Sequence, residues 1–399
     1  MEQLFQKFLK KVGTVSTKVV RDFIYQIDWK DRMIGIRGAR GVGKTTLLLQ
    51  YIQQQLPLDN QTLYVSLDDI YFSNNTLVEL ADQFVKNGGK FLILDEVHRY
   101  ATWSVELKNI YDDHPSLRVA FTGSSALHLH RAKADLSRRA VMYYMPGLSF
   151  REFLHLAPQY QLNFPSVSLP EIIDNHTELC LSLTQQFKPL PAFQQYLSLG
   201  YYPYFSENED TYHLKLIEVL NLILEIDLPH VVNINFSSIN QLRKLLQILA
   251  ESTPFKPNIQ KLSERIGSTR NTVISYLQYL ENTEILSLLY STTKGVSAMQ
   301  KPEKVYLQNP NLFFALAPDN ANKGSLRETF FLSQLRPKHA VQYPKQGDFL
   351  IDGKWTAEIG GASKSKRQIK GVEDGFITAD DIEIGYQNKI PLWLFGFLY

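Results

Sequence analysis

The sequence predicts an α/β protein whose first part is a parallel sheet covered on both faces by helices. Two observations carry this. Five short apolar runs, at 33–36, 62–66, 91–94, 119–122 and 141–145, alternate with stretches of helical periodicity, the pattern of strand–helix–strand crossovers. The first run leads straight into a glycine-rich turn, and residues 46–55 after it are apolar on one side and polar on the other, as an amphipathic helix is.

The composition agrees. At 399 residues the chain is long enough for roughly two to four domains. Apolar residues make up 44% and charged residues 21%, the balance of a folded protein and not of a disordered one. A net charge of +2 is too small to announce a nucleic-acid partner by itself. The single cysteine, Cys180, excludes an internal disulfide, fits a reducing compartment and is expected to be packed. Gln3, Lys7, Lys10 and Lys11 break the start of the chain, so no signal peptide is read there. No uninterrupted apolar run is long enough to cross a bilayer. A cytoplasmic protein is expected.

Taken in order, residues 1–30 read as a helical lead-in, with Leu4, Phe5, Phe8 and Leu9 at helical spacing. After the first strand, Gly38, Ala39, Arg40, Gly41, Val42, Gly43, Lys44 and Thr45 fit G-x-x-x-x-G-K-[ST] without a mismatch. Glycines at 38, 41 and 43 let the backbone curl so that amide groups converge on one point. The helix that begins near Thr46 adds the positive end of its dipole. Such a cradle holds phosphates, with Lys44 as the charge on the β- and γ-phosphates of ATP and Thr45 as a hydroxyl ligand for Mg²⁺.

The third strand ends in Asp95 and Glu96. Asp95 at its tip would hold Mg²⁺ through water, and Glu96 would orient and deprotonate the attacking water. The fourth ends Thr122, Gly123, Ser124, Ser125. A polar group at this tip can sense the γ-phosphate, and Thr122 is preferred over Ser124. Arg131, Lys133, Arg138 and Arg139 follow. One arginine here, with Arg139 preferred, could reach a neighbouring subunit's nucleotide, a contact that can add about 10³–10⁵ in rate. A solvated basic face is the alternative.

Residues 38–45, Asp95 to His98, Thr122 to Ser125, and the run Pro146-Gly147-Leu148-Ser149-Phe150-Arg151-Glu152-Phe153 resemble a family of prokaryotic AAA-type ATPases. Its members carry a C-terminal domain of the restriction-endonuclease-like fold. The resemblance implies a P-loop core over 1–153, a helical lid over 154–235 and a small α+β, nuclease-like domain over 309–399, with 236–308 read from its own pattern below as a winged helix. It covers nearly the whole chain and is most specific in the first half. The family often has Gly-Arg where this chain has Arg138-Arg139, which leaves open which arginine is the finger.

The middle is rich in leucine and cut by prolines, which reads as short helices and loops. Then 241–250 is amphipathic, 258–266 is a second helix closed by Gly267, and a third begins at Ser268, its N-cap. Runs at 285–290 and 304–307 complete a winged-helix pattern. Arg270, Asn271 and Ser275 would sit at the start of the recognition helix. Residues 236–308 hold nine Lys or Arg against five Asp or Glu, a mild excess that fits double-stranded DNA or a surface used only for packing.

In the tail, 348–351 and 355–359 flank Asp352-Gly353, a hairpin signal. The resemblance implies a PD-(D/E)xK-type core in which Asp348 and Glu358 would bind a second metal ion, but the lysine position is Gly360. Lys364, Lys366 or Lys370 could substitute. A two-residue loop would pair Asp348 with Ala357 and turn Glu358 away, whereas a three-residue loop with a glycine bulge would put both acids on one face. The expected function is a Mg²⁺-dependent ATPase switch acting on nucleic acid, with a homo-oligomer formed if an arginine acts in trans. The alternatives are an ATP-gated DNA nuclease using Asp348 and Glu358, and an ATP-dependent signalling scaffold gripping protein.

Overall fold

The computed structural model describes residues 1–123, 136–232, 234–252, 256–291, 301–318 and 322–399. Ser124, Ser125, Arg131 and Lys133 lie outside the described residues. The chain divides into two compact units, 1–147 and 148–399. The division falls a few residues before the boundary at 153 that the sequence implies.

The first unit is a five-stranded sheet of β1 (Met33–Arg37), β2 (Thr62–Ser66), β3 (Phe91–Asp95), β4 (Arg118–Gly123) and β5 (Val141–Tyr144). Its order is β2-β3-β4-β1-β5 and every pairing is parallel. All five predicted strands are present within a residue at either end. The central strands are buried almost end to end, as a sheet covered on both faces requires. Parallel strands put all their C-terminal tips on one edge, so the loops after β1, β3 and β4 meet there.

The lead-in helix, Glu2–Thr14, buries Leu4, Phe8 and Val12. Leu9, read as part of that stripe, is exposed. The helix Lys44–Gln55 after the glycine turn is buried from Leu47 to Ile52. On it Gln50 donates to the carbonyls of Ser16 and Val19 at 2.8 and 2.9 Å, holding the lead-in against the core.

The second unit begins with the helix Phe150–Leu156. Ser149 and Glu152 close a capping box at its start. Ser149 Oγ and Arg151 Nε also donate to the carbonyl of Tyr399 at 2.7 and 2.9 Å. Phe150 meets Phe193 and Phe397, and Phe193 meets Phe330 edge-on at 4.7 Å. Helices near 150–200 and residues from 323 onward therefore share one apolar core. Two buried amides knit it. Asn311 donates to the carbonyls of Tyr196 and Leu197, and Gln334 donates to Tyr196 Oη. Cys180 is buried, and burial pushes its thiol up to about 12.

Helices Phe236–Ser252, Ile259–Ile266 and Arg270–Asn282 precede an antiparallel pair, β6 (Leu286–Leu289) and β7 (Lys304–Leu307). The third helix is capped by Thr269, not Ser268. The amide of Ser268 is used to close the helix before it, donating to the carbonyl of Ser263 at 2.9 Å, with Gly267 at φ 67° in the turn. The last sheet has the order β12-β11-β10-β9-β8. It joins β8 (Val341–Gln342), β9 (Phe349–Ile351), β10 (Trp355–Gly360), β11 (Gly375–Ala379) and β12 (Lys389–Pro391). The first three alternate in direction, and β10, β11 and β12 run parallel.

Candidate nucleotide site and a second acidic cluster

The turn after β1 has the curl its glycines predict, but they serve different ends. Gly41 and Gly43 have φ of 87° and 97°, the left-handed region that side chains disfavour. Gly38 is needed for space, because a Cβ there would lie 2.2 Å from the carbonyl oxygen of Met145. The ammonium of Lys44 is buried against the turn and donates to the carbonyls of Gly38 and Ala39, at 2.8 Å each. Ala39 and Val42 are buried, whereas Gly41 and Thr46 are exposed and Arg40 half-buried.

Asp95 joins the three strand tips. Its Oδ2 accepts from Thr45 Oγ1 and from Tyr64 Oη, both at 2.7 Å. Its Oδ1 accepts from the hydroxyl of Thr122 and from the amide of Glu96, the latter at 3.2 Å. Asp95 is 2% exposed, so a carboxylate here needs these donors. Burial and the neighbouring Asp95 push the phenol of Tyr64 far above its ordinary value, which keeps it a donor at neutral pH.

Glu96 has φ 54° and ψ 40°, a left-handed conformation costing a non-glycine residue about 1–3 kcal/mol. Its amide is held by Asp95 and by Thr122 Oγ1, the latter at 3.1 Å. The strained turn swings the side chain away from β3, where Oε2 lies 3.4 Å from Nε2 of the buried His98. Thr122, expected to face the γ-phosphate, is fully buried and braces Asp95 and Glu96 here.

The site can hold Mg²⁺. Thr45 and Asp95 offer oxygen, the hard donor that Mg²⁺ takes, and sit in contact at the foot of a turn shaped for phosphate. Tyr64 and Arg21 near it carry no sequence signal, and His98 enters the sequence reading only as the end of the run from Asp95. Tyr64 holds Asp95. His98 meets Glu96. Arg21 donates to the carbonyls of Val42, Pro146 and Gly147 at 3.2, 2.9 and 2.9 Å, tying the turn to the last residues of the first unit.

Arg139 is not at this edge of its own sheet. It lies two residues before β5, where the strands begin, and makes a two-point ion pair with Asp112 at 2.9 Å. About 13 Å of strand separates that edge from the glycine turn.

In the second unit, Arg270 and Asn271 are exposed at the start of their helix and Ser275 is half-buried. In the tail the three-residue loop forms. Asp352 and Gly353 have φ of 52° and 68°, and Phe349 pairs with Ala357. Asp348 therefore stands level with Glu358, on one face of the sheet. Glu358 is fully buried. Burial raises its carboxyl above the ordinary value, Lys364 opposes the rise and Asp348 adds to it. The Lys364 ammonium contacts Glu358 Oε1, and Gln368, with its amide turned, donates to Oε2 at 2.9 Å. Lys364 reaches it by folding across Gly360, where a Cβ would lie 2.5 Å from Lys364 Cδ. Lys304 bridges Glu328 and Asp348 at 2.9 and 3.2 Å, and Tyr306 Oη donates to Glu328 at 2.7 Å. Among the described residues no group of three His, Cys, Asp or Glu gathers to hold a metal ion.

Residues 30–154 match a family described as an AAA domain, and residues 190–323 match a domain of unknown function. An uncharacterized protein of Methanocaldococcus jannaschii is 27% identical over 391 residues, 89% of this chain and 82% of that protein. A Walker-type ATPase of Pyrococcus abyssi aligns in structure with a TM-score of 0.44 and 11% identity, over 76% of this chain and 97% of its own. The ORC1 protein of Aeropyrum pernix, solved in complex with DNA, aligns at 0.31 and 13%, over 79% and 92%. On the family match, residues 30–154 are similar to an AAA domain. Among the described residues no helix is long and apolar enough to cross a membrane.

Proposed function

We propose that this protein binds ATP with Mg²⁺ and hydrolyses it, as a nucleotide-driven switch that acts on double-stranded DNA. The observation that carries the reading is Asp95, bonded on one side to Thr45 of the phosphate turn and on the other to Thr122 and the amide of Glu96. Residues 38–46 wrap the phosphates, and Lys44 exchanges its two carbonyls for phosphate oxygens. Thr45 and Asp95 hold Mg²⁺, which when bound supplies charge neutralisation of the phosphates. Glu96 orients the attacking water and takes its proton. Thr122 keeps Asp95 and Glu96 in register and senses the γ-phosphate through them. Arg139 acts on the nucleotide of a second copy.

The test is ATP turnover with Mg²⁺, with and without double-stranded DNA. Glu96→Gln should lower the rate by about 10²–10⁴ and leave ATP affinity nearly unchanged. Unaltered turnover in that variant contradicts the assignment. The DNA partner is supported by the exposure of Arg270 and Asn271 at a helix start. Arg270→Ala should weaken DNA binding and reduce its salt slope.

A second reading, an ATP-gated nuclease in the tail, is favoured by the hairpin register and by Lys364, whose stem overlies Gly360 and whose ammonium meets Glu358. DNA cleavage that survives Glu96→Ala but not Glu358→Ala would support it.

A further inference from the structure

One hydrogen-bond chain runs from the lead-in helix to Asp95. Lys11, on the lead-in helix, donates from Nζ to Tyr64 Oη at 3.1 Å, with the ammonium 4.9 Å from the ring centre. Tyr64 Oη in turn donates to Asp95 Oδ2 at 2.7 Å. The directions are consistent, since the ammonium can only donate and the carboxylate can only accept. A cation behind a phenol makes the phenol a better donor. Tyr64 is 3% exposed, and Asp95 is the acceptor its hydroxyl uses.

We propose that Tyr64 is a positioning residue for the metal-holding carboxylate, and that Lys11 couples the lead-in helix to it. This rests on the proposed function above and deepens it. Thr45 and Tyr64 share Asp95 Oδ2. When Mg²⁺ engages the Thr45 hydroxyl, Tyr64 remains as the fixed donor on that oxygen, and Thr122 with the Glu96 amide as those on Oδ1. Without the phenol, Asp95 can rotate about its side chain and meets the metal in fewer of its orientations. Partners of this kind around a metal ligand are typically worth about 10–100-fold in metal affinity. Lys11 acts one bond further out. It lines a cavity of about 390 Å³ with Lys7, Lys10, Thr14, Tyr64 and Asp69. Lys11 is exposed and acts on Asp95 only through the phenol, so its influence is the smaller and is screened by salt.

The experiment measures ATP binding by calorimetry across a Mg²⁺ titration, on the full chain, together with melting in the absence of nucleotide. Tyr64→Phe keeps the ring and removes only the hydroxyl. It should raise the Mg²⁺ concentration that half-completes the gain in ATP affinity by about tenfold or more, with Mg²⁺-free ATP affinity unchanged. Lys11→Met should shift that midpoint in the same direction by less, and the shift should shrink in high salt. Lys11→Arg should restore it. A Tyr64→Phe chain that melts earlier yet keeps its Mg²⁺ midpoint within about twofold overturns the proposal. An unshifted midpoint in Lys11→Met removes the coupling to the lead-in helix. A wild-type chain whose ATP affinity ignores Mg²⁺ overturns both this inference and the function it rests on.

Discussion

Two acidic sites, one in each unit, are dressed in opposite ways. Asp95 accepts from three hydroxyls and one amide. These neutral donors fix its direction and leave its charge to be matched by a cation that arrives. In the tail, Asp348 and Glu328 share the ammonium of Lys304, and Glu358 carries that of Lys364. There three carboxylates already hold two ammonium groups, and a divalent ion would have to displace lysine. A buried carboxylate solvated by hydroxyls is poised for a metal, whereas one solvated by ammonium groups is a settled ion pair. Strand-tip acids alone do not separate these cases, but their partners do.

The comparison can be broken at several points. The largest expected effect is on chemistry in the first unit. Lys44→Ala removes the buried ammonium and should reduce ATP binding and turnover together by about 10²-fold or more. The variant should bind DNA as the parent does. An intact ATP affinity would misplace the site.

Next comes Lys304→Met. It leaves Glu328 and Asp348 facing each other partly buried, which should cost about 1–3 kcal/mol, discounted for their residual exposure, and be read as a lowered melting temperature. Burial opposes the Lys304 charge, but the two carboxylates outweigh it and the ammonium is held above its ordinary value of 10.5. The stabilisation is therefore complete below pH 10.5 and lost as pH rises through the raised value. A neutral variant that melts like the parent would mean the cluster is not a settled network.

A smaller effect concerns Glu358. Its folded-state value is raised above 4.5, first by burial. The folded chain then keeps a proton that the unfolded chain releases, so this group disfavours folding as pH climbs above 4.5. Glu358→Gln should show a shallower fall in melting temperature than the parent from pH 4.5 upward. Equal slopes would show that Lys364 compensates the charge fully.

The smallest effect is expected from Arg139→Ala. Its partner Asp112 is exposed, so melting should hardly change. Turnover per subunit should fall only at protein concentrations where copies associate. A fall at all concentrations would place the arginine in its own chain's site, against its position at the far edge of the sheet.

How much was legible follows from which relations are local. The phosphate turn is eight consecutive residues and the acid pair is two, and each sits where a strand ends, so sequence order alone brings them together. Tyr64 reads only as one more residue of an apolar strand, and Arg21 and Lys11 as ordinary charges in the lead-in. Their roles come from which strand lies beside β3 and which helix covers β2, relations that no spacing encodes. Gly38 was read as a source of curl when its need is room for the Met145 carbonyl. In the tail, Asp352-Gly353 announced the hairpin but allowed two registers. The choice between them decides whether Asp348 and Glu358 share a face. Lys304 and Glu328 reach that face from other elements, Lys304 from 44 residues before Asp348, so no spacing announces the ion pairs. The hydroxyls of Ser268 and Thr269 are equivalent in sequence, and only the closing bond of the preceding helix selects Thr269.

The most direct test is the Mg²⁺ dependence of ATP affinity in Asp95→Asn beside the parent chain. The amide is the same size as the carboxylate and retains an oxygen for part of the hydroxyl bonding, so the fold should hold. The account expects parent and variant to bind metal-free ATP alike, with the gain on adding Mg²⁺ largely lost in the variant. An equal gain in both would contradict it.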